Sequence, residues 1–147
     1  MTFQQVQEAI SQLKQTGATV EETLCDDPPQ VANLEKTLGL EFPDSLREFY
    51  SYYDYLQVGP YEFEWVRNLP DLVDKVRKTL QVPENYVPIL WDGMGGYYYV
   101  VCSTREGGRP GNFGEVVYRP RGSPKPVESD CGQLFEFLVS RIENAKE

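Results

Sequence analysis

The 147-residue chain contains no histidine. That absence removes Ser-His and Cys-His nucleophile pairs, histidine acid–base catalysis and any metal site built on imidazole. Cysteine is scarce. Cys25, Cys102 and Cys131 are odd in number, far apart and in no CxxC spacing, so they read as reduced thiols, each a small buried hydrophobe. Cationic charge is short as well: 14 Lys and Arg against 23 Asp and Glu leave a net charge of −9. Such a chain is poorly suited to binding a nucleic-acid backbone or an anionic membrane, because both reward clustered Lys and Arg. Long apolar runs are missing too. The uncharged stretch at residues 93–104 falls far short of the ~20 apolar residues of a membrane span. The glutamine-rich first residues have neither the basic flank nor the apolar core of a signal peptide. The expectation is a soluble, cytoplasmic protein.

What is present argues for a folded domain. Hydrophobic residues make up 40% and aromatics 13%, too many large apolar side chains for a disordered chain. At roughly 100 to 200 residues per domain, residues 1–147 form one domain, large enough to fold without metal or disulfides. Thr2 and Gln5 have capping-box spacing, and Phe3, Val6, Ile10 and Leu13 follow at helical intervals up to Gly17. Asp27-Pro28-Pro29-Gln30 repeats that grammar before Val31, Leu34 and Leu38, with Gly39 as the stop. Pro43 opens a third helix with Leu46, Phe49, Tyr50 and Tyr53 on one stripe. Tyr61 to Trp65 alternates aromatic with acid, a strand with one buried and one wet face. Asn68 is placed to cap a short helix bearing Leu72, Val73, Val76 and Leu80. Tyr86 to Trp91 and Tyr97 to Cys102 read as a hairpin around Asp92-Gly93-Met94-Gly95-Gly96, followed by a strand from Glu115 to Arg119. Asp130, with Gln133 three residues on, reads as the cap of a last helix carrying Leu134, Phe135, Leu138 and Ile142. This order predicts an α+β domain, a mainly antiparallel sheet with helices packed on one side.

Charge is unevenly spread. Residues 1–73 carry 13 acids and 4 bases, whereas residues 74–147 carry 10 of each. Many of the acids belong to helix starts and solvated faces, as Asp27 and Asp44 do by position. Their concentration between Glu21 and Glu64 still makes a single-sign region that steers an oppositely charged partner. Aromatics overlap it: Tyr50, Tyr52, Tyr53, Tyr55, Tyr61, Phe63 and Trp65. Tyr52 and Tyr55 fall off the stripe of the third helix, and half-wet tyrosines are typical of protein-binding surfaces.

Catalytic and metal readings fit less well. Glu62 and Glu64 lie roughly 6 to 7 Å apart on one face of a strand, near the spacing of glycosidase carboxylates. Such pairs flank a bond from opposite sides, however, and these two point the same way. With Asp54 they fall short of the six to eight oxygens that calcium requires. The glycine-rich turn at Asp92 leads into a strand rather than a helix N-terminus, so it is no phosphate loop. A modest basic patch, Arg105, Arg109, Arg119, Arg121 and Lys125, spans residues 105–125 and draws mainly on two loops, residues 105–114 and 120–126. No catalytic residue and no cofactor are expected.

Three segments together resemble the SUKH superfamily, named partly for cell-wall-assembly regulators. The first is Leu34-Glu35-Lys36-Thr37-Leu38-Gly39-Leu40-Glu41-Phe42-Pro43, continuing through Ser45-Leu46-Arg47-Glu48-Phe49-Tyr50. The second is Val87-Pro88-Ile89-Leu90 with the turn from Asp92 to Gly96 and the Tyr98 strand. The third is Leu134-Phe135-Glu136-Phe137-Leu138. The likeness runs from about Val31 to Ile142. It implies an α+β domain with no catalytic residues to carry over. For bacterial members it implies an immunity protein that binds and neutralises a toxin; for eukaryotic ones, a regulatory adaptor. The resulting expectation is a non-enzymatic protein-binding domain whose partner is a basic toxin domain such as a nuclease. Asp54, Tyr55, Glu62, Glu64, Trp91 and Asp92 are the expected contacts.

Overall fold

A computed structural model describes residues 1–27, 29–122 and 128–145. Helix α1 (Phe3–Gln15) begins where its cap predicts: the Gln5 N–H donates to Thr2 Oγ1 at 3.3 Å, and the Thr2 N–H donates to Gln5 Oε1 at 2.7 Å. Helix α2 (Gln30–Leu38) ends on Gly39, whose φ of 69° puts it in the left-handed region that glycine occupies without a steric cost. Its start differs from expectation. Pro29 holds the cap position, and Asp27 accepts the Gln30 N–H through its backbone carbonyl rather than its carboxylate. Pro28 lies outside the described residues.

Strand β2 (Leu40–Glu41) leads to helix α3 (Asp44–Tyr52), in which Leu46, Phe49 and Tyr50 are buried. Tyr53, placed by periodicity on the α3 stripe, is instead the first residue of strand β3 (Tyr53–Val58). Both conformations would bury it here, because the chain turns against the same core; its ring is 1% exposed and its hydroxyl donates to Glu22 at 3.1 Å. Strand β4 (Tyr61–Phe63) is shorter than the alternation suggests and runs into a 3-10 turn at Val66–Asn68 and helix α4 (Leu69–Thr79). Asn68 occupies the α4 cap position without a side-chain cap bond.

Strand β5 (Tyr86–Trp91) and strand β6 (Tyr97–Val101) form the expected hairpin, with Trp91 opposite Tyr97. After the short strand β7 (Ser103–Thr104) come strand β8 (Glu115–Arg119), strand β9 (Ser129–Gln133) and helix α5 (Leu134–Asn144). Asp130 therefore does not cap the last helix. It lies in β9 opposite Val117, its carboxylate accepts the Gly132 N–H at 2.8 Å, and Gln133 holds the cap position. Lys125 and the rest of residues 123–127 lie outside the described residues.

Strand β1 (Val20–Leu24), unmarked in the sequence, forms one edge of a seven-stranded antiparallel sheet in the order β1-β3-β4-β5-β6-β8-β9. Strands β2 and β7 make a separate two-stranded ribbon. Helices α1, α2, α3 and α5 cover one face of the sheet, where Val6, Leu34, Phe49 and Leu138 meet Leu56, Phe63, Val87 and Val100. Burying each such side chain stabilises the fold by roughly 1.5–3 kcal/mol. The α+β class and antiparallel sheet are as expected, but α4 lies on the other face. Its Val76, with Leu72 and Leu80, packs on Tyr86, Tyr97, Tyr99, Val101 and Val117. Strand β6 is consequently covered on both sides. The α4 cluster reaches only β5, β6 and β8, so the same face of β1, β3 and β4 has no helix over it among the described residues.

Candidate functional site

Strand register decides which side chains share that uncovered face. Gln57 pairs with both Glu21 and Glu62, and Thr23 pairs with Tyr55, so these five residues point the same way. Glu64 follows Glu62 by two residues and projects on their side. Strand β4 pairs with β5 at one register position, Phe63 opposite Leu90, and the Glu64 N–H donates to the Ile89 carbonyl at 2.9 Å; toward Tyr61 and Trp91 the ladder stops. A cleft of about 510 Å³ lies at this short pairing, lined by Tyr55, Tyr61, Glu62, Glu64, Trp65, Trp91, Asp92 and Tyr98 among others.

Five of the six expected contacts line this cleft: Tyr55, Glu62, Glu64, Trp91 and Asp92. Asp54 does not. It adjoins Tyr55 in sequence, but its carboxylate accepts a hydrogen bond from Gln30 Nε2 at 2.7 Å and ties β3 to α2. The cleft also includes Tyr61, Trp65 and Tyr98, which were not among the expected contacts. Trp65 stacks on Tyr55 with ring centroids 4.4 Å apart and planes 18° apart. That pairing is unreadable from sequence, where Tyr55 looks like a residue trailing the third helix.

The carboxylates differ in their surroundings. Glu62 is exposed and accepts the Tyr55 hydroxyl at 2.9 Å. Burial, with that hydrogen bond and the charge of Glu62 added, pushes the Tyr55 phenol up to about 12, so it stays a donor. Glu64 is half-buried. Burial first, and the neighbouring Glu62 charge second, raise its pKa above the ordinary carboxylate value, against a smaller opposing effect of Lys75. None of the described residues makes a hydrogen bond or ion pair with its carboxylate.

Asp92 has the opposite environment. Burial acts to raise its pKa, but the Tyr118 hydroxyl at 2.6 Å and the N–H groups of Met94 at 2.7 Å and Gly96 at 2.9 Å outweigh burial and hold it below the usual aspartate value. Its carboxylate is thus the clasp of the glycine turn. Gly96 has no room for a side chain there: a Cβ would lie 2.7 Å from the Arg119 carbonyl oxygen and 2.9 Å from Pro120 Cα. The clasped turn holds Trp91 and Met94 outward, 52% and 82% exposed.

The acids before this face are mostly engaged elsewhere. Glu35 receives a bidentate fork from Arg47, at 2.9 Å for both bonds, and also the Phe42 N–H at 3.0 Å. Glu22 pairs with Lys14, and Glu41 with Arg109. Arg109, in the basic loop, is therefore partnered. Among the described residues no group of three or more His, Cys, Asp or Glu side chains could hold a metal ion, and no helix is long and apolar enough to cross a membrane. Of the cysteines, Cys102 is buried as expected, while Cys25 and Cys131 are partly exposed.

A leucine-glycine turn and proline joining α2 to α3, a clasped glycine turn in the β5–β6 hairpin, and α5 closing over an antiparallel sheet define a SUKH-type α+β domain. Residues 27–138 match the SMI1 / KNR4 family (SUKH-1), well over half of the chain, and the protein belongs to that family. No curated protein matches the chain.

Proposed function

We propose that this SUKH-family domain is a non-enzymatic binding protein of the immunity type, which neutralises a basic toxin domain by covering its working surface. The observation that carries this reading is the uncovered face of β1, β3 and β4. There Glu21, Glu62 and Glu64 form no ion pair among the described residues, and Glu62 and Glu64 line the aromatic cleft that ends at Trp91. An acidic surface with a large, exposed aromatic anchor suits a cationic protein partner: the charge speeds encounter, and the ring supplies buried area. A nuclease is a natural target class, because a groove built for phosphates is basic.

The test is co-expression with the product of the neighbouring reading frame. That product alone is expected to arrest growth, and the wild-type domain to restore it. Glu62→Lys with Glu64→Lys is expected to lose protection and weaken binding at least ~100-fold, the scale of like-charge juxtaposition at an interface. Glu48→Lys, exposed on α3, is expected to protect normally. Full protection by the double variant would remove the surface assignment. Recovery of an endogenous housekeeping protein, with no toxic neighbour, would make the domain a cytoplasmic regulatory adaptor instead.

A further inference from the structure

We propose that the cleft between β4 and β5 receives one arginine side chain of the partner protein, its guanidinium stacking on the exposed Trp91 ring and donating to the Glu62 and Glu64 carboxylates. This inference rests on the reading of the chain as a protein-binding domain and specifies what the site takes. Three features of the cleft converge on that ligand.

The first is charge. The lining contains Glu62, Glu64 and Asp92 and no basic residue. Asp92 is spent on its three donors, and Glu62 gives one oxygen to Tyr55. The second Glu62 oxygen and both oxygens of Glu64 have no donor among the described residues. A half-buried carboxylate without a donor is costly, and a cation in the cleft removes that cost.

The second is the aromatic wall. Tyr55, Trp65 and Trp91 line the cleft with these carboxylates, and Tyr61 and Tyr98, which pack on the helix-covered core, line it from the other face. The chain already places guanidinium groups on the same rings. Arg67 Cζ lies 4.3 Å from the Trp65 ring centroid, and Arg141 Cζ lies 5.1 Å from Tyr98 and 5.7 Å from Tyr61. Trp65 is already closed by Tyr55 and Arg67, and Tyr98 by Phe137 and Tyr118, so the ring open to an incoming guanidinium is that of Trp91. A planar, weakly hydrated guanidinium stacks on such rings and offers donors on two edges, which lets one group serve two carboxylates roughly 6 to 7 Å apart along a strand. A compact ammonium has neither property.

The third is direction. On the other side of the Trp91 ring is a groove lined by Lys75 and Arg121 along with Leu80 and Tyr97. A cation approaching the exposed indole is therefore repelled on one side and attracted on the other. The outward Trp91 and Met94 give the rest of a protein partner an apolar rim against which to seal the cleft. A small free cation would leave that rim unused.

Amide and indole NMR titration tests the assignment with three blocked tripeptides, glycine-arginine-glycine, glycine-lysine-glycine and glycine-citrulline-glycine. The arginine peptide is expected to give saturable shifts centred on Tyr55, Glu62, Glu64 and Trp91. The lysine peptide should bind about tenfold more weakly, and the neutral citrulline peptide should not saturate. Glu62→Gln with Glu64→Gln keeps an acceptor for Tyr55, so the folded spectrum should persist while the arginine response disappears; Glu48→Gln should leave the response intact. Equal responses to arginine and citrulline, or to arginine and lysine, would overturn the proposal, as would no saturation or a response that survives the double variant. Loss of protection by the lysine double variant, together with any of those results, would leave the binding reading standing and remove the arginine site alone.

Discussion

Two carboxylates that line this cleft respond to pH in opposite senses. Asp92 has a folded-state pKa below its unfolded value because Tyr118, Met94 and Gly96 all donate to its ionised form. Its stabilising contribution is therefore complete above ~3.9, its unfolded value, and is lost as pH falls through the lower folded one. Glu64 has a folded-state pKa raised by burial and by Glu62. The native state holds that proton to higher pH than the unfolded chain does, so stability falls as pH rises from ~4.3 through the raised value, and at neutral pH the ionised group is a net cost. Asp92→Ala is expected to destabilise the protein by about 1–3 kcal/mol at neutral pH, since it strands a hydroxyl and two N–H groups. Glu64→Gln is expected to be stabilising by up to about 0.5 kcal/mol, the scale of relieving a like-charge neighbour in a sheet. Urea unfolding across about pH 3 to 7 separates the two: the acid-side loss should shrink in the Asp92 variant, and the decline toward neutral pH should shrink in the Glu64 variant. A destabilised Glu64→Gln protein at neutral pH would contradict the account of that site.

At the level of elements, the α2–β2–α3 corner shows why a family motif looks as it does. Gly39 ends α2 in the left-handed conformation, Pro43 starts α3, and Glu35 binds both the Arg47 fork and the Phe42 N–H across the turn between them. Glu35 is only 13% exposed, whereas Arg47 is 40% exposed. Glu35→Ala is expected to cost about 2–3 kcal/mol by leaving a charge-assisted fork and a backbone donor unsatisfied. Glu48→Ala, on exposed α3 surface, should stay within about 0.5 kcal/mol; thermal unfolding of the two variants checks the contrast. The corner was half legible. Gly39 and Pro43 announce themselves because their constraints are local, but Glu35 read as one more solvated acid because its partner is twelve positions away in the chain. The same divide runs through the fold. The Thr2 capping box, the β5–β6 hairpin and β8 are local and were readable. Strand β1 is an edge whose Glu21, Thr23 and Leu24 are exposed, so it lacks the alternation that marks a half-buried strand. Strand β9, Ser-Asp-Cys-Gly-Gln, has little strand propensity and is held by pairing with β8. In the site, the acids and Trp91 stood out by type, whereas the Tyr55–Trp65 stack and the short β4–β5 ladder depend on register that no local pattern carries.

For the whole molecule, the net charge of −9 overstates how diffuse the field is. Glu22 and Glu35 are neutralised by Lys14 and Arg47, and Glu41 by Arg109, itself one of the ten bases set against the ten acids of residues 74–147. What remains is Glu21, Glu62 and Glu64 on a face with no α-helix over it among the described residues, the last two in the cleft beside a tryptophan that projects into solvent. Steering and anchoring should then separate kinetically. With a basic partner, the association rate is expected to fall about tenfold between roughly 0.05 and 0.5 M salt, as the Debye length shrinks from well over ~10 Å to a few ångströms. Glu62→Gln with Glu64→Gln should flatten that salt slope and lower the low-salt association rate. Trp91→Ala should leave the slope unchanged and raise the dissociation rate about 30-fold or more, the behaviour of an aromatic hot spot. Stopped-flow association and chase-type dissociation measure the two rates independently. If the association rate were flat with salt, or if the double variant changed only dissociation, the acids would act solely through contact in the cleft, and the asymmetry of charge along the chain would serve solubility rather than encounter.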